Sequence, residues 1–178
     1  KIITIIVIAV IIIGGYFLFN KKQEPKDTTP IKIGVASLMT GDFAVVGENI
    51  RDTATLAVDE INQNGGIDGR MIELVIEDAK CDSKTGLSAM SKLINVDKVK
   101  YIVGGMCSNG TIAAAPLANQ NRVITMTPVT GGQNVDDAGE YIFRTANSDL
   151  LAGKNLAKAM IDMGYKKVGA ATEITEYT

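Results

Sequence analysis

The chain has 178 residues, of which 18 are basic, 20 are acidic and none is histidine, so its formal net charge at pH 7 is −2. Because the charges are scattered along the sequence, no basic face predicts a nucleic-acid partner. The lack of histidine removes the commonest general base and the commonest metal ligand. The spacing of the two cysteines does not suggest a metal site either. Composition therefore predicts no metal and no cofactor, and it disfavours an enzyme.

Residues 1–22 form a separate segment. Ile2–Phe19 is uncharged and almost wholly apolar, and it is followed by Asn20, Lys21 and Lys22. A stretch of this length is near the lower limit for crossing a bilayer and is longer than a usual signal-peptide core. No small-residue cleavage pattern follows it. We therefore expect a membrane anchor that holds an extracytoplasmic protein through residues 2–19, with a cleaved signal as the alternative.

The polar residues 23–30 follow this segment and include a proline near each end, which is typical of an extended linker. From Ile31 onward, apolar alternation and helical periodicity take turns. The predicted strands are Ile31–Ser37, Arg70–Glu77, Lys100–Gly104, Val123–Met126, Tyr141–Arg144 and Lys167–Thr172. The predicted helices are Gly47–Asn64, Lys84–Val96, Thr111–Asn119 and Leu150–Met163. This order predicts an α/β fold with a mostly parallel sheet flanked by helices.

The stretch from Tyr101 to Thr111 carries the most chemical information. It leads from a predicted strand through small residues into a predicted helix, and Ser108 lies in the turn. Helix N-termini present unpaired N–H donors and partial positive charge, which favour an anion. In open α/β sheets, ligands bind beyond the carboxyl ends of the strands. The stretch is therefore a candidate anion site, although an ordinary strand-to-helix turn with a Ser or Asn cap is the simpler interpretation.

Cys81 and Cys107 follow the second and third predicted strands. If these strands are neighbours in one parallel sheet, both cysteines emerge at the same edge, within bridging range. An even pair of cysteines in an exported protein predicts a disulfide. Two unrelated buried thiols are the alternative.

Several motifs together resemble the leucine/isoleucine/valine-binding proteins of ABC importers, within the type I periplasmic binding protein superfamily. They are Ile33–Gly41, Ala54–Gly66 with the following Ile67–Arg70, the pair Cys81 and Cys107–Ser108, and Tyr141–Thr145. The resemblance covers about residues 31 to 178. It implies two α/β lobes that close on an amino acid by hinge motion. It also implies a family length of about twice this chain, so that residues 31–145 form most of lobe 1 and residues 146–178 the start of lobe 2.

The resemblance assigns ligand contacts position by position. Ser108, with the amides that begin at Asn109, matches the position that binds the ligand α-carboxylate. Thr130 lies in the family's second contact loop, which receives the α-ammonium group. Because this loop is one residue shorter here, its neighbours Val129 and Gly131 are equally candidates.

Two further positions come from the same resemblance. Tyr177 falls near a tyrosine of lobe 2 that reaches the ligand. Val46 stands where many relatives place an aromatic residue over the ligand side chain, so the side-chain preference of this protein is open. The lobe 2 acidic residue that the family uses for the ammonium group falls beyond Thr178.

The function that we expect is capture of a small amino acid, of the branched-chain kind, and its delivery to an ABC transporter permease. A ligand-sensing receptor ectodomain with the same fold, binding amides or small carboxylates, is the alternative. An α/β enzyme that uses a phosphate or nucleotide is more remote, because the sequence has neither G-x-G-x-x-G nor G-x-x-x-x-G-K-[ST]. A Ser-His-Asp triad cannot be built without histidine.

Overall fold

The computed structural model describes residues 26–171, and these form a five-stranded parallel sheet with the strand order β2-β1-β3-β4-β5. The strands are β1 (Ile31–Ser37), β2 (Ile72–Asp78), β3 (Tyr101–Gly104), β4 (Ile124–Thr127) and β5 (Ile142–Arg144). The helices are α1 (Ala44–Gln63), α2 (Ser83–Asn95), α3 (Ser108–Asn121) and α4 (Asp149–Asp162), and a 3₁₀ turn covers Gln133–Val135. The predicted α/β class and parallel sheet are confirmed.

The strand order places the helices on both faces of the sheet. The connection from β1 to β2 runs in one direction along the sheet, whereas those from β2 to β3 and from β3 to β4 run in the other. Since parallel crossovers are right-handed, α1 covers one face and α2 and α3 cover the opposite face. The predicted layering on both faces therefore holds.

The core lies between the sheet and the pair α2 and α3. Met90 and Leu93 of α2 and Ala114 of α3 are buried there against Ile102 of β3. The two helices approach closely because Gly86 has no side chain: a Cβ at that position would lie 2.7 Å from the Cα of Gly110. Burial of these side chains is the main stabilising contribution to the described part of the chain.

The other face of the sheet is only partly covered. The side chains of Tyr101, Ile124, Met126 and Phe143 are between 38% and 49% exposed, although they lie on consecutive strands. Helix α4 has no buried residue. Within residues 26–171, these two apolar surfaces remain open to solvent.

Most element ends differ from the predictions by one to three residues, and one prediction was wrong. Residues 167–171 form no strand, although the sequence predicts a strand at Lys167–Thr172. In the described part of the chain no strand pairs with this stretch, so its backbone has no ladder partner. Helix α1 begins at Ala44 rather than at Gly47, because the N–H of Ala44 donates to the carbonyl of Gly41 at 3.1 Å and starts the turn early.

The predicted membrane segment, residues 2–19, lies outside the described residues. Among residues 26–171, no helix is both long and apolar enough to cross a bilayer.

Candidate functional site

A groove of about 750 Å³ opens at the edge of the sheet where the parallel strands end, which we call the carboxyl edge. Its walls come from the segments that follow β2, β3, β4 and β5. Residues from these segments that line the groove include Ser83, Ser108, Asn109, Gly132, Asp149 and Leu150. The groove therefore lies where ligands bind in open parallel sheets.

Ser108 begins α3 and lies at the bottom of this groove, with only 8% of its surface exposed. Its Oγ accepts a hydrogen bond from the N–H of Gly132 at 3.2 Å. The hydroxyl proton is therefore left to donate to a ligand. Among the described residues, no acceptor is hydrogen-bonded to the backbone N–H of Ser108 or Asn109. These groups form the partly positive helix end that the sequence predicts.

Asn109 also lines the groove, but its side chain is committed to local structure. Its Nδ2 donates to the carbonyl oxygen of Cys81 at 3.2 Å, and its Oδ1 accepts from the N–H of Gly110 at 2.8 Å. Asn109 thereby fastens the start of α3 to the loop after β2. Its part in ligand binding stays a prediction, carried by its backbone rather than its side chain.

Cys81 and Cys107 lie on either side of this contact. The structure joins their sulfur atoms, with the two Cα atoms 5.4 Å apart. This separation is within the usual range for a disulfide. Both cysteines lie at the same edge of the sheet, as predicted. The strands that precede them are not neighbours, however, because β1 lies between β2 and β3.

The loop after β4 presents its backbone, not its hydroxyl groups, to the groove. Thr130 is 1% exposed, and its hydroxyl is hydrogen-bonded to that of Thr127. Val129 is about half exposed. Neither Thr130 nor Val129 lines the groove, whereas Gly132 does. The assignment of Thr130 and Val129 to the ligand stays a prediction, and we expect movement of the loop before the Thr130 hydroxyl reaches a ligand.

Arg144 holds this loop in place. Its guanidinium donates to the carbonyl oxygens of Gly131 and Gly132, both at 3.2 Å, and it pairs with the carboxylate of Asp136. The Arg144 side chain is largely buried, so these are charge-assisted bonds in a sheltered position. The N–H of Gly132 is thereby fixed against Ser108.

Several groove residues were missed by the sequence analysis, and Asp149 is the one among them that carries a carboxylate. Its N–H donates to the carbonyl of Gly131 at 3.0 Å, and its carboxylate lies against the Cα of Gly131. A Cβ on Gly131 would lie 2.4 Å from Oδ1 of Asp149, so only glycine leaves room for the carboxylate. The available signal was the position of Asp149 at the start of the helix that follows β5, at the same edge as the other candidates.

Of the two remaining predicted contacts, Val46 lies away from the groove. Val46 is in the first turn of α1, 41% exposed, and is not among the groove residues. Tyr177 lies outside the described residues. The loop that leads into α1 is held by Asp78, whose Oδ1 accepts from the N–H of Met39 at 3.0 Å and whose Oδ2 accepts from Thr40.

The pKa of Asp78 reflects this hydrogen bonding. Burial alone acts to raise it, but bonds from the Thr40 hydroxyl and from the N–H groups of Lys80 and Met39 bring the pKa below its ordinary value of 3.8. Asp82, which caps the start of α2, also has a lowered pKa, chiefly because its carboxylate accepts from the N–H of Thr85. Both side chains are therefore ionised at neutral pH.

In chemical terms, the groove combines N–H and hydroxyl donors at the start of α3 with one carboxylate, that of Asp149. Such a groove suits a small molecule that carries an anionic group and a cationic group. Within residues 26–171, no group of three or more Cys, Asp or Glu side chains is arranged to hold a metal ion. The fold and groove thus define an α/β lobe with a groove of small-ligand size at the carboxyl edge of its parallel sheet.

A family model for periplasmic binding proteins matches residues 30–177. The chain therefore belongs to the periplasmic binding protein family. It is 36% identical over 124 residues to the leucine-, isoleucine-, valine-, threonine- and alanine-binding protein of Pseudomonas aeruginosa, an alignment that covers 69% of this chain and 33% of that protein. The chain thus spans about a third of the length of this relative.

Solved structures of transporter binding proteins also match this chain. The substrate-binding protein LivJ of the branched-chain amino acid transporter of Streptococcus pneumoniae, in complex with isoleucine, matches with a TM-score of 0.64 and 34% identity, over 67% of this chain and 34% of that one. A solute-binding protein of an ABC transporter from Rhodopseudomonas palustris, in complex with 4-hydroxybenzoate, matches with a TM-score of 0.68 and 26% identity, over 76% and 36%. The resemblance found in the sequence is confirmed, and these relatives are binding proteins.

Proposed function

We propose that the complete protein is an extracytoplasmic solute-binding protein that captures a small amino acid, of the branched-chain kind, and delivers it to an ABC importer. The observation that carries the proposal is the groove itself. It places the start of α3, with the buried Ser108 hydroxyl, in one groove with the carboxylate of Asp149. The first group suits the carboxylate of an amino acid and the second suits its ammonium group.

The comparisons support the assignment of the ligand carboxylate more strongly than the assignment of the ligand ammonium group. Isoleucine and 4-hydroxybenzoate, the ligands in two of the matching structures, share a carboxylate. Only isoleucine has an ammonium group. We therefore assign carboxylate binding to Ser108 and the N–H groups at the start of α3, and we assign the choice between amino acids and other carboxylates to Asp149 and the loop containing Thr130.

The proposal includes a division of the chain. Residues 31–145 belong to lobe 1, and residues 146–178 begin a second lobe that closes over the groove, with Tyr177 among its ligand contacts. The open face of α4 supports this division, because Leu151 and Leu156 are more than half exposed and need a covering layer. Residues 1–22 anchor the protein at the outer face of the membrane, and the Cys81–Cys107 bond forms after export.

The test is Ser108→Ala in the full-length protein, with binding of leucine, isoleucine and valine measured by calorimetry. A hydrogen bond to a charged group contributes about 1.5–3 kcal/mol, so we expect the affinity to fall by roughly tenfold to a hundredfold. Ser88→Ala is the matched control, because Ser88 is exposed on α2 and does not line the groove. The control should bind like the parent.

Two results would contradict the proposal. If Ser108→Ala binds like the parent while its circular dichroism and melting temperature are also unchanged, the carboxylate is held elsewhere. If the parent binds benzoates but no amino acid, the substrate class is wrong, although the carboxylate site stands. If it binds only amides, both the substrate class and the carboxylate assignment are wrong. Sequencing beyond Thr178 distinguishes the transporter component from a receptor, because a receptor would continue into a membrane span or a signalling domain.

A further inference from the structure

Arg144 is the last residue of β5 and belongs to the motif Tyr141–Thr145, to which the sequence assigns no ligand contact. In the sheet register it lies opposite Thr127, the last residue of β4. Its side chain is only 12% exposed, although it carries a full positive charge. A buried guanidinium is unfavourable unless its donors are satisfied. The position of Arg144 therefore depends on the acceptors around it.

Two consecutive glycines in the loop after β4 supply most of these acceptors. Nη1 of Arg144 donates to the carbonyl oxygens of Gly131 and Gly132, each at 3.2 Å. Nη2 donates to the carboxylate of Asp136, which is half exposed. Both glycines are buried, and glycine backbones rotate more freely than those of other residues. The peptide group between them has no side chain of its own to hold it, so Arg144 supplies the restraint.

This peptide group links Arg144 to the groove. All peptide bonds within residues 26–171 are trans, and in a planar trans peptide the C=O and N–H point in opposite directions. The carbonyl, which belongs to Gly131, accepts from Arg144 and also from the N–H of Asp149 at 3.0 Å. The N–H, which belongs to Gly132, donates to Oγ of Ser108 at 3.2 Å. Rotation of this one group would therefore break the contacts of both Ser108 and Asp149.

We propose that Arg144 is a positioning residue for ligand binding, because it holds the peptide between Gly131 and Gly132 in one orientation. In that orientation the Gly132 N–H occupies Oγ of Ser108 as an acceptor, and the Ser108 proton is directed to the ligand. The same orientation keeps Asp149, the first residue of α4, against the loop. Arg144 is not among the residues that line the groove, so it acts through the loop. The inference rests on the proposed function, which assigns the ligand to Ser108 and Asp149.

The test is a pair of double-mutant cycles on the full-length protein. Calorimetry measures the binding of leucine, isoleucine or valine, whichever the parent binds most tightly. Arg144→Gln should lower the affinity about tenfold or more, because misplacing a charge-assisted bond weakens it nearly as much as removing it. In protein that already carries Ser108→Ala, the effect of Arg144→Gln should be at least about threefold smaller, and likewise with Asp149→Ala. A general structural role would give the same effect in every background.

Two further variants separate position from charge. Arg70→Gln is the matched control, because Arg70 also pairs with an aspartate, Asp27, and donates to a backbone carbonyl, that of Thr29 at 2.7 Å. It precedes β2, at the opposite edge of the sheet from the groove, and its variant should bind like the parent. Arg144→Lys keeps the positive charge but lacks the planar fork of donors, so we expect it to bind as weakly as Arg144→Gln. Full recovery of the affinity by lysine would overturn the proposal.

Equal effects of Arg144→Gln in the parent, Ser108→Ala and Asp149→Ala proteins would also overturn it. If Arg144→Gln does not fold, Asp136→Ala decides, because it removes only the exposed partner that orients the guanidinium. We expect Asp136→Ala to lower the affinity by about threefold, and binding like the parent would overturn the proposal. A parent that binds none of the three amino acids overturns the proposed function and this inference with it. A parent that binds one of them, with additive effects in the cycles, overturns this inference alone.

Discussion

Gly131→Ala is the substitution that most directly tests how the groove is built. The added Cβ would lie 2.4 Å from Oδ1, 2.5 Å from Oδ2 and 2.6 Å from Cγ of Asp149. All three distances are shorter than real Cβ contacts allow, so the Asp149 carboxylate has to leave its position. We expect a folded protein in which the carboxylate no longer lies at the groove wall beside Gly132.

Displacing the Asp149 carboxylate should lower both the stability of the protein and its affinity for an amino acid. Forcing an extra methyl group into a packed position costs about 1–3 kcal/mol of stability, and the lower part of this range applies because Asp149 is a side chain that can move. If Asp149 holds the ligand ammonium group, losing that charge-assisted bond costs a further ~1.5–3 kcal/mol of binding free energy, or roughly tenfold to a hundredfold in affinity. Binding of a ligand that has only a carboxylate should change much less.

The assay combines urea unfolding with calorimetry on the full-length protein. Gly153→Ala is the matched control, because nothing lies within 4 Å of a Cβ at that position in α4. It should stabilise the protein by up to about 1 kcal/mol, the helix preference of alanine over glycine. The double variant Gly131→Ala with Asp149→Ala tests the contact between the added methyl group and the Asp149 carboxylate, because it removes the carboxylate. If Gly131→Ala costs as much stability with Asp149→Ala as without it, the close approach is not the cause and the reasoning fails.

Three further predictions concern other parts of the molecule. Alkylation of the exported protein without reductant should leave Cys81 and Cys107 unmodified, and labelling of both thiols would contradict the disulfide. A protein anchored by residues 2–19 should stay in the membrane fraction after carbonate washing, whereas a soluble form that begins near Gln23 would show cleavage. Because the pKa of Asp78 is below its ordinary value of 3.8, its stabilising effect is present above about pH 4 and is lost as the pH falls through the folded-state pKa. Asp78→Asn should therefore cost about 1 kcal/mol at pH 7, measured by urea unfolding, and should leave the unfolding free energy less steep below pH 4.

The sequence predicts the sheet well because its strands are short apolar runs bounded by turns. The predicted β1, Ile31–Ser37, agrees with the observed strand at both ends. Helix ends are predicted less accurately, because they depend on capping contacts that the spacing of apolar residues does not reveal. The predicted third helix begins at Thr111, whereas α3 begins at Ser108, after an N-cap residue whose side chain makes no capping bond. Ser108 is therefore the first residue of α3 and does not belong to the preceding loop.

The site was only partly predictable for a similar reason. Ser108 follows from a local signal, a small-residue turn between a strand and a helix. Asp149 has only its position between a strand and a helix as a local signal, because its place at the groove wall also depends on Gly131, which is 18 residues earlier in the sequence. The sequence also does not predict that the Thr130 hydroxyl is buried, because its position depends on a hydrogen bond to the Thr127 hydroxyl. Local patterns locate segments of the site, whereas packing between loops decides which atoms face the ligand.

The parallel topology explains why residues far apart in sequence form one groove. Every described strand ends at the same edge, so the segments after β2, β3, β4 and β5 contribute Ser83, Ser108, Gly132 and Asp149 without any long excursion of the chain. The bonds between these segments include Asn109 to Cys81, Gly132 to Ser108 and Asp149 to Gly131. The Cys81–Cys107 disulfide and the bonds from Arg144 to the loop after β4 add to them. Because each bond joins neighbouring segments, a change in one loop alters the position of the next. We therefore expect the ligand preference to depend on how the loops after β3, β4 and β5 fit together, and the three should be varied jointly when that preference is tested.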